Sequence, residues 1–201
     1  MITIIDYDSG NLASLTQGFK KAGMDVRVSS DPEIIKNSDA LVLPGVGAFG
    51  DAMEKLHARG LPPLIDAHVE AGKPLVGICL GMQLLYETSS EHGTHKGLGY
   101  LKGDIVPIET TRVIPHMGWN ALSINDHGNA LFTYLSEPAY VYFVHSYMVE
   151  SSGEGIVATT DYDAVIPAIV QKDNLTAMQF HPEKSAQDGH ALLRALKEMI
   201  T

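Results

Sequence analysis

Short apolar runs alternate with amphipathic segments of helical length through the first hundred residues. Ile2–Ile5, Val26–Val28, Ala40–Leu43 and Leu75–Ile78 read as strands buried on both faces. Between the first two, Asn11–Ala22 sets Leu12, Leu15 and Phe19 on one helical stripe and ends at Gly23, a residue suited to a left-handed terminus. Met53 and Leu56 mark one helical face, and Leu64, Ile65 and Val69 another, which Ala71-Gly72-Lys73-Pro74 stops. A helix carrying Leu80, Leu84 and Leu85 follows the fourth strand at once. Strand–helix alternation of this kind predicts a parallel sheet covered by helices on both faces.

The texture changes after Leu98. Leu101–Ile108, Trp119–Ile124, Tyr140–Tyr147, Ile156–Thr160, Ala168–Gln171 and Thr176–Phe180 read as strands with little helix between them. A closing helix over Gly189–Ile200 repeats Leu192, Leu193, Leu196, Met199 and Ile200 at helical spacing. The expected fold is three-layer α/β, with a mainly parallel sheet that gains antiparallel strands in the C-terminal half. No repeat or linker interrupts it, so residues 1–201 are expected to form one domain, an ordinary size for a single core.

Charge narrows the field. Fourteen basic against 24 acidic residues give a formal charge of −10, which disfavours nucleic acid and anionic membranes as partners. The single cysteine excludes an internal disulfide or a multi-cysteine zinc site. Asp6 and Asp8 precede any basic leader segment, and the apolar stretch Pro74–Tyr86 is too short to span a bilayer. A soluble, cytoplasmic protein is expected.

That lone cysteine lies in Gly77-Ile78-Cys79-Leu80-Gly81, between a strand and a helix. Small residues two before and two after Cys79 permit a tight turn that lifts a nucleophile above the sheet. A helix N-terminus there would favour a thiolate, and the Leu80 N–H would face a developing oxyanion. The alternative is a small buried hydrophobe. A thiol needs a base. His57, His68, His92, His95, His127 and His190 read as solvated surface residues, and His145, inside an aromatic run, as a packed strand residue. His181 ends a strand and precedes Pro182-Glu183. Extended backbone there sets Glu183 on the same side as His181, able to orient the imidazole. Leu43-Pro44-Gly45-Val46-Gly47 follows another strand, where glycines allow a peptide N–H to turn toward the site; an ordinary turn is the other reading. All three motifs fall at the carboxyl ends of strands, where open α/β sheets gather catalytic groups.

Leu43–Gly47, Gly77-Ile78-Cys79-Leu80-Gly81-Met82-Gln83 and His181-Pro182-Glu183 resemble the three signatures of the class I (triad) glutamine amidotransferases, in the same order along the whole chain. Pro115-His116-Met117-Gly118-Trp119-Asn120, Tyr142–Tyr147, Asp6-Tyr7 and Gly10-Asn11 resemble the glutaminase subunits of imidazole glycerol phosphate synthases. Asp8 departs from that pattern, standing where many relatives carry glycine. The resemblance implies a flavodoxin-like fold, the nucleophile Cys79, the base His181 and its orienting Glu183. It implies an oxyanion hole from Val46, Gly47 and Leu80, and glutamine contacts from Gly47, Gln83, Glu91, Ser146 and Tyr147. No metal or organic cofactor is implied. The implied partner is a (β/α)8-barrel cyclase in histidine biosynthesis, met through Asn11, Pro115, His116, Met117, Gly118, Trp119, Asn120, Tyr142 and Lys184. Core packing for Trp119 and a solvated surface for Lys184 are the competing readings. Rival functions are the glutaminase of another synthase, a catalytically silent regulatory subunit, and a thiol peptidase or hydrolase on the same scaffold.

Overall fold

The computed structural model describes residues 1–150 and 153–200. Its first half alternates as the sequence implies: β1 (Ile2–Ile5), α1 (Leu12–Lys21), β2 (Val26–Ser29), α2 (Pro32–Lys36), β3 (Ala40–Leu43), α3 (Phe49–Ala58), α4 (Pro62–Glu70), β4 (Leu75–Ile78) and α5 (Leu80–Gln83). Short strands β5 (Thr88–Ser89) and β6 (His95–Lys96) follow, then β7 (Asp104–Pro107), β8 (His116–Ala121) and β9 (Ser123–Ile124). The chain continues through β10 (Tyr140–His145), β11 (Tyr147–Glu150), β12 (Ile156–Asp161), β13 (Val165–Lys172) and β14 (Leu175–Met178) to α6 (Ala186–Ile200).

The main sheet runs β2-β1-β3-β4-β14-β13-β12-β9. Strands β2, β1, β3, β4 and β14 are mutually parallel, and β13, β12 and β9 extend the sheet antiparallel. Alternating side chains feed two cores. Ile2, Ile4, Val42, Val76 and Ile78 face α1 and α6, where Leu15, Phe19, Leu192 and Leu196 close the layer. Ile5, Leu41, Leu43 and Leu75 face the other way, against Ile35, Leu56, Ile65 and Leu80.

The other strands leave this sheet. β10 pairs with β8 as a two-stranded ribbon, and β11-β7-β5-β6 form a small separate sheet. The expected single strand Tyr140–Tyr147 is therefore cut at Ser146, because its halves pair with different partners. The helix after Cys79 is also shorter than expected. Leu98, Gly99 and Leu101 return to donate N–H bonds to the carbonyls of Leu84, Tyr86 and Leu85, which a continuing helix would have used. Helix α2 carries no apolar period to reveal it. Its start is held by the Asp31 side chain, which accepts from Glu33 N and Ile34 N, with Pro32 in the first turn. His68 is buried rather than solvated, with Nε2 at 3.1 Å from the Pro74 carbonyl.

Candidate active site

Three adjacent parallel strands, β3, β4 and β14, end on one rim, and each hands the chain to one motif. β4 runs into Cys79, whose backbone takes φ 55°, ψ −114°, a conformation side chains rarely adopt. The flanking glycines make the turn possible. A Cβ on Gly77 would lie 2.9 Å from both the Gly81 carbonyl and Met82 Cα, and one on Gly81 would lie 1.9 Å from the Leu43 carbonyl oxygen. Leu80 opens α5, so its N–H has no acceptor within the helix. Close approach of Gly45 to Leu80 and Gly81 seats the Pro44–Gly47 turn directly beside Cys79. Tyr7 supports that turn from below, its hydroxyl donating to the Pro44 carbonyl at 2.7 Å.

β14 delivers His181. Its Nδ1 lies 2.9 Å from Glu183 Oε1, and both side chains are almost fully buried. Asn11 Nδ2 donates to the same carboxylate oxygen at 2.7 Å. Burial pulls the imidazolium pKa of His181 down, but interaction with Cys79 and then Glu183 outweighs it and pushes the value up to about 9. Burial raises the Glu183 carboxyl, and its bonds to His181 and Asn11 more than reverse this, leaving it below the usual range. His181 Nε2 has no hydrogen-bond partner of regular geometry, although the ring lies within electrostatic reach of Cys79. The Cys79 thiol itself points toward the Val144 carbonyl, Sγ to oxygen 3.8 Å.

A cavity of about 300 Å³ lies over this group, lined by Val46, Gly47, Cys79, Leu80, Gln83, Glu91, Pro115, Val144, His145, Ser146, Tyr147 and His181. Glu91 is drawn toward it from the segment between β5 and β6, where its Oε2 accepts from Phe49 N, at the start of α3, at 2.6 Å. A buried thiol, an imidazole–carboxylate pair and a small cleft above them suit attack on a carbonyl carbon, with a proton relayed through the imidazole.

Comparison with known proteins decides between the scaffolds that could carry such a site. The family described as glutamine amidotransferase class-I matches residues 3–197. The chain belongs to it.

Relatives within this amidotransferase family include the imidazole glycerol phosphate synthase subunit HisH of Oceanobacillus iheyensis, 49% identical over 201 residues and covering 100% of both chains. The subunit of the same name from Methanothermobacter thermautotrophicus is 47% identical over 200 residues, 100% of this chain and 99% of the other. Among solved structures, PurLQS from Thermotoga maritima aligns with a TM-score of 0.78 at 17% identity, covering 100% and 98% of the two chains. A structure described as a glutamine amidotransferase aligns at 0.76 with 20% identity, covering 98% of each. At such identities these two likenesses concern the fold.

The remaining residues singled out by sequence divide between two places. Gly47, Gln83, Glu91, Ser146 and Tyr147 all line the amidotransferase cavity, although Gln83 Nε2 is engaged by the Tyr147 carbonyl and Gln179 Oε1, each at 3.0 Å. Met117 and Trp119 are 62% and 53% exposed on β8, so Trp119 is not a core residue. Tyr142, opposite Trp119 on β10, meets its ring edge-on at 6.2 Å, and Lys184 is exposed. Alternation puts Met117, Trp119, Tyr140, Tyr142 and Val144 on the ribbon's outer face, and Val144 is also cavity wall.

Of the other expected docking residues, only His116 is turned away from solvent, whereas Asn11 and Asn120 are partly exposed and Pro115 is exposed. His116 is buried at 3% exposure because alternation turns it inward. Asn11 is turned onto Glu183, and Asn120 onto the Asp161 carbonyl at 2.8 Å. Pro115 lines the cavity. His145, read from its aromatic run as packing, is buried as expected but also forms cavity wall, which periodicity alone could not show. Asp8 has φ 63°, a left-handed conformation that glycine adopts without strain and aspartate tolerates.

The inward imidazoles are expected to cost the protein stability in acid. Burial first, then Arg112, holds His116 near 4; burial first, with His116 and His181 adding to it, holds His145 near 4. A lowered folded value means the unfolded chain binds more protons between about pH 6.5 and 4, so stability falls as pH drops through that window. Melting temperature should decline from pH 7 to 4.5, and less steeply in His116→Phe, which lacks one of the three buried histidines, His68 included, whose values are lowered. Equal slopes in parent and variant would contradict the assignment.

Proposed function

We propose that this glutamine amidotransferase is the glutaminase subunit of an imidazole glycerol phosphate synthase, supplying ammonia from L-glutamine to a (β/α)8-barrel cyclase in histidine biosynthesis. Cys79 attacks the side-chain amide carbon of glutamine, and the tetrahedral oxyanion is held by the N–H of Leu80 and a peptide of Val46–Gly47. His181, oriented by Glu183, already holds the proton that its pairing with Cys79 favours and passes it to the departing nitrogen, so that the carbon–nitrogen bond breaks and ammonia leaves. The same imidazole then activates water, which hydrolyses the γ-glutamyl thioester to glutamate and frees Cys79. Glu91 pairs with the α-ammonium group, with Gln83, Ser146 and Tyr147 around it. Ammonia freed in water at neutral pH becomes ammonium, which is no nucleophile, so the chemistry requires a receiving subunit. The reaction belongs in the cytoplasm.

One observation carries the reading: the cavity over Cys79 and His181 shares its Val144 wall with the exposed face of Met117, Trp119, Tyr140 and Tyr142. Aromatic and methionine side chains exposed together suit a docking surface. A (β/α)8-barrel cyclase should co-purify with this chain and raise its glutamine hydrolysis. Trp119→Ala should weaken that association by about 30-fold or more, the loss expected of an aromatic anchor. Ammonium-dependent synthesis by the cyclase should not change. Association unaffected by the substitution would move the docking surface elsewhere.

A further inference from the structure

The inner face of the β8–β10 ribbon holds a line of polar contacts that glutamine hydrolysis does not use. It ends at the Tyr147 carbonyl, beside the cavity, which accepts from Gln83 Nε2 at 3.0 Å and lies 2.8 Å from His145 Nδ1. A carbonyl oxygen can only accept, so the proton of His145 sits on Nδ1. Burial keeps the ring neutral near pH 7, which leaves Nε2 an acceptor. His116 Nδ1, 3.0 Å away, must then donate. His116 is neutral for the same reason, so its Nε2 accepts from Asn120 Nδ2 at 3.3 Å.

The Asn120 amide cannot turn over, because Nδ2 also donates to the Asp161 carbonyl at 2.8 Å and Oδ1 accepts from Ala121 N at 2.9 Å. Carbonyls therefore anchor both ends, and every proton between them has one allowed position. The His116 ring is clamped between Phe143, at 4.7 Å and 21°, and Tyr162, at 4.0 Å and 26°. Such a clamp fixes which ring atom meets His145.

We propose that His116 is a positioning residue: by fixing the proton and seat of His145 it holds the Tyr147 carbonyl, and with it Gln83 and the Ser146–Tyr147 wall, in the shape that receives glutamine. The role rests on the glutaminase reading. A ring that merely fills space would be replaced by phenylalanine without consequence, since the stack survives.

The test uses the complex with the cyclase and three variants. His116→Phe keeps the stack and loses the donor; His116→Gln carries its amide at the Nε2 position, out of reach of His145; His116→Asn carries its amide at the Nδ1 position and keeps the donor. KM for glutamine should rise about tenfold in the Phe and Gln variants, as one lost buried hydrogen bond predicts, with kcat changed less. The Asn variant should stay within about twofold of the parent. Nitrogen-15 spectra of the parent should show both rings neutral and protonated on Nδ1. A proton on Nε2 of either ring, or a KM unmoved in both Phe and Gln variants, overturns the proposal. If His116→Phe does not fold, His116→Gln and the spectra decide. A parent that turns over no glutamine sinks the glutaminase reading instead, and the spectra still judge the relay.

Discussion

Cys79→Ala is expected to abolish synthesis from glutamine while synthesis from added ammonium salts continues at the parent rate. The asymmetry follows from where the sulfur sits. It is the only thiol in the chain, held by a strained turn above the sheet, and no hydroxyl or amine among the cavity-lining residues can take its place on that turn. Loss of a covalent nucleophile costs about 10³-fold or more in kcat, because the remaining donors and the imidazole have no intermediate to stabilise. The cyclase needs only ammonia, so externally supplied ammonia bypasses the defect. Both activities are measured on one complex with saturating glutamine or ammonium chloride at pH 8. Equal loss of both would mean that the substitution disturbs docking rather than chemistry. Retained glutamine turnover would remove the thiol from the mechanism.

Much of this arrangement could be read before any coordinates because it depends on backbone rules that leave marks in sequence. Glycines two residues either side of Cys79 mark a turn that no Cβ can enter, and the contacts at Gly77 and Gly81 show why. His181-Pro182-Glu183 marks the pair by its spacing, but not by the extended backbone that the spacing suggests: only His181 is extended, and Pro182–Lys184 form a 3-10 turn that brings Glu183 back to 2.9 Å from the imidazole. Strand ends are visible as the close of apolar runs, so the rim of the sheet was predictable as well. Contacts between distant segments leave no such mark. The hydrogen bond from Asn11 to Glu183 joins residues whose neighbours in sequence carry no hint of each other. The Tyr140–Tyr147 run has one unbroken pattern, yet its two halves enter different sheets, because pairing is settled by β8 and β7 rather than by the run itself. His116 shows the same limit at one residue. Alternation says that it points opposite to Trp119, but only the fold says which of those directions is solvent.

Gly81→Ala should be the most damaging single change outside the triad. In an ordinary helix this substitution stabilises by about 1 kcal/mol, because alanine restricts the unfolded chain and favours helix. Here the added Cβ would sit 1.9 Å from the Leu43 carbonyl oxygen, 2.7 Å from its carbon and 3.0 Å from the Pro44 carbonyl oxygen. All three are backbone atoms at the end of a central strand whose residues are fully buried, so no flexible side chain can give way. Relief requires either α5 to lift from the sheet or the Pro44–Gly47 turn to move off Cys79. Overpacking against fixed backbone costs about 3 kcal/mol or more, which for a chain of this size lowers the melting temperature by about 10 °C. Gly47→Ala is the control: nothing lies within 4 Å of its Cβ position, and its positive φ of 97° costs about 1 kcal/mol of strain without a clash. Thermal melts of the two variants separate the effects, with Gly81→Ala far below Gly47→Ala. Alkylation of Cys79 by a glutamine analogue should fall in Gly81→Ala even where the protein remains folded, because either relief movement opens the turn that aims the thiol. Melting within 2 °C of the parent, with normal labelling, would mean that α5 can shift at no cost, and the close packing of helix on strand would not be what holds Cys79 in place.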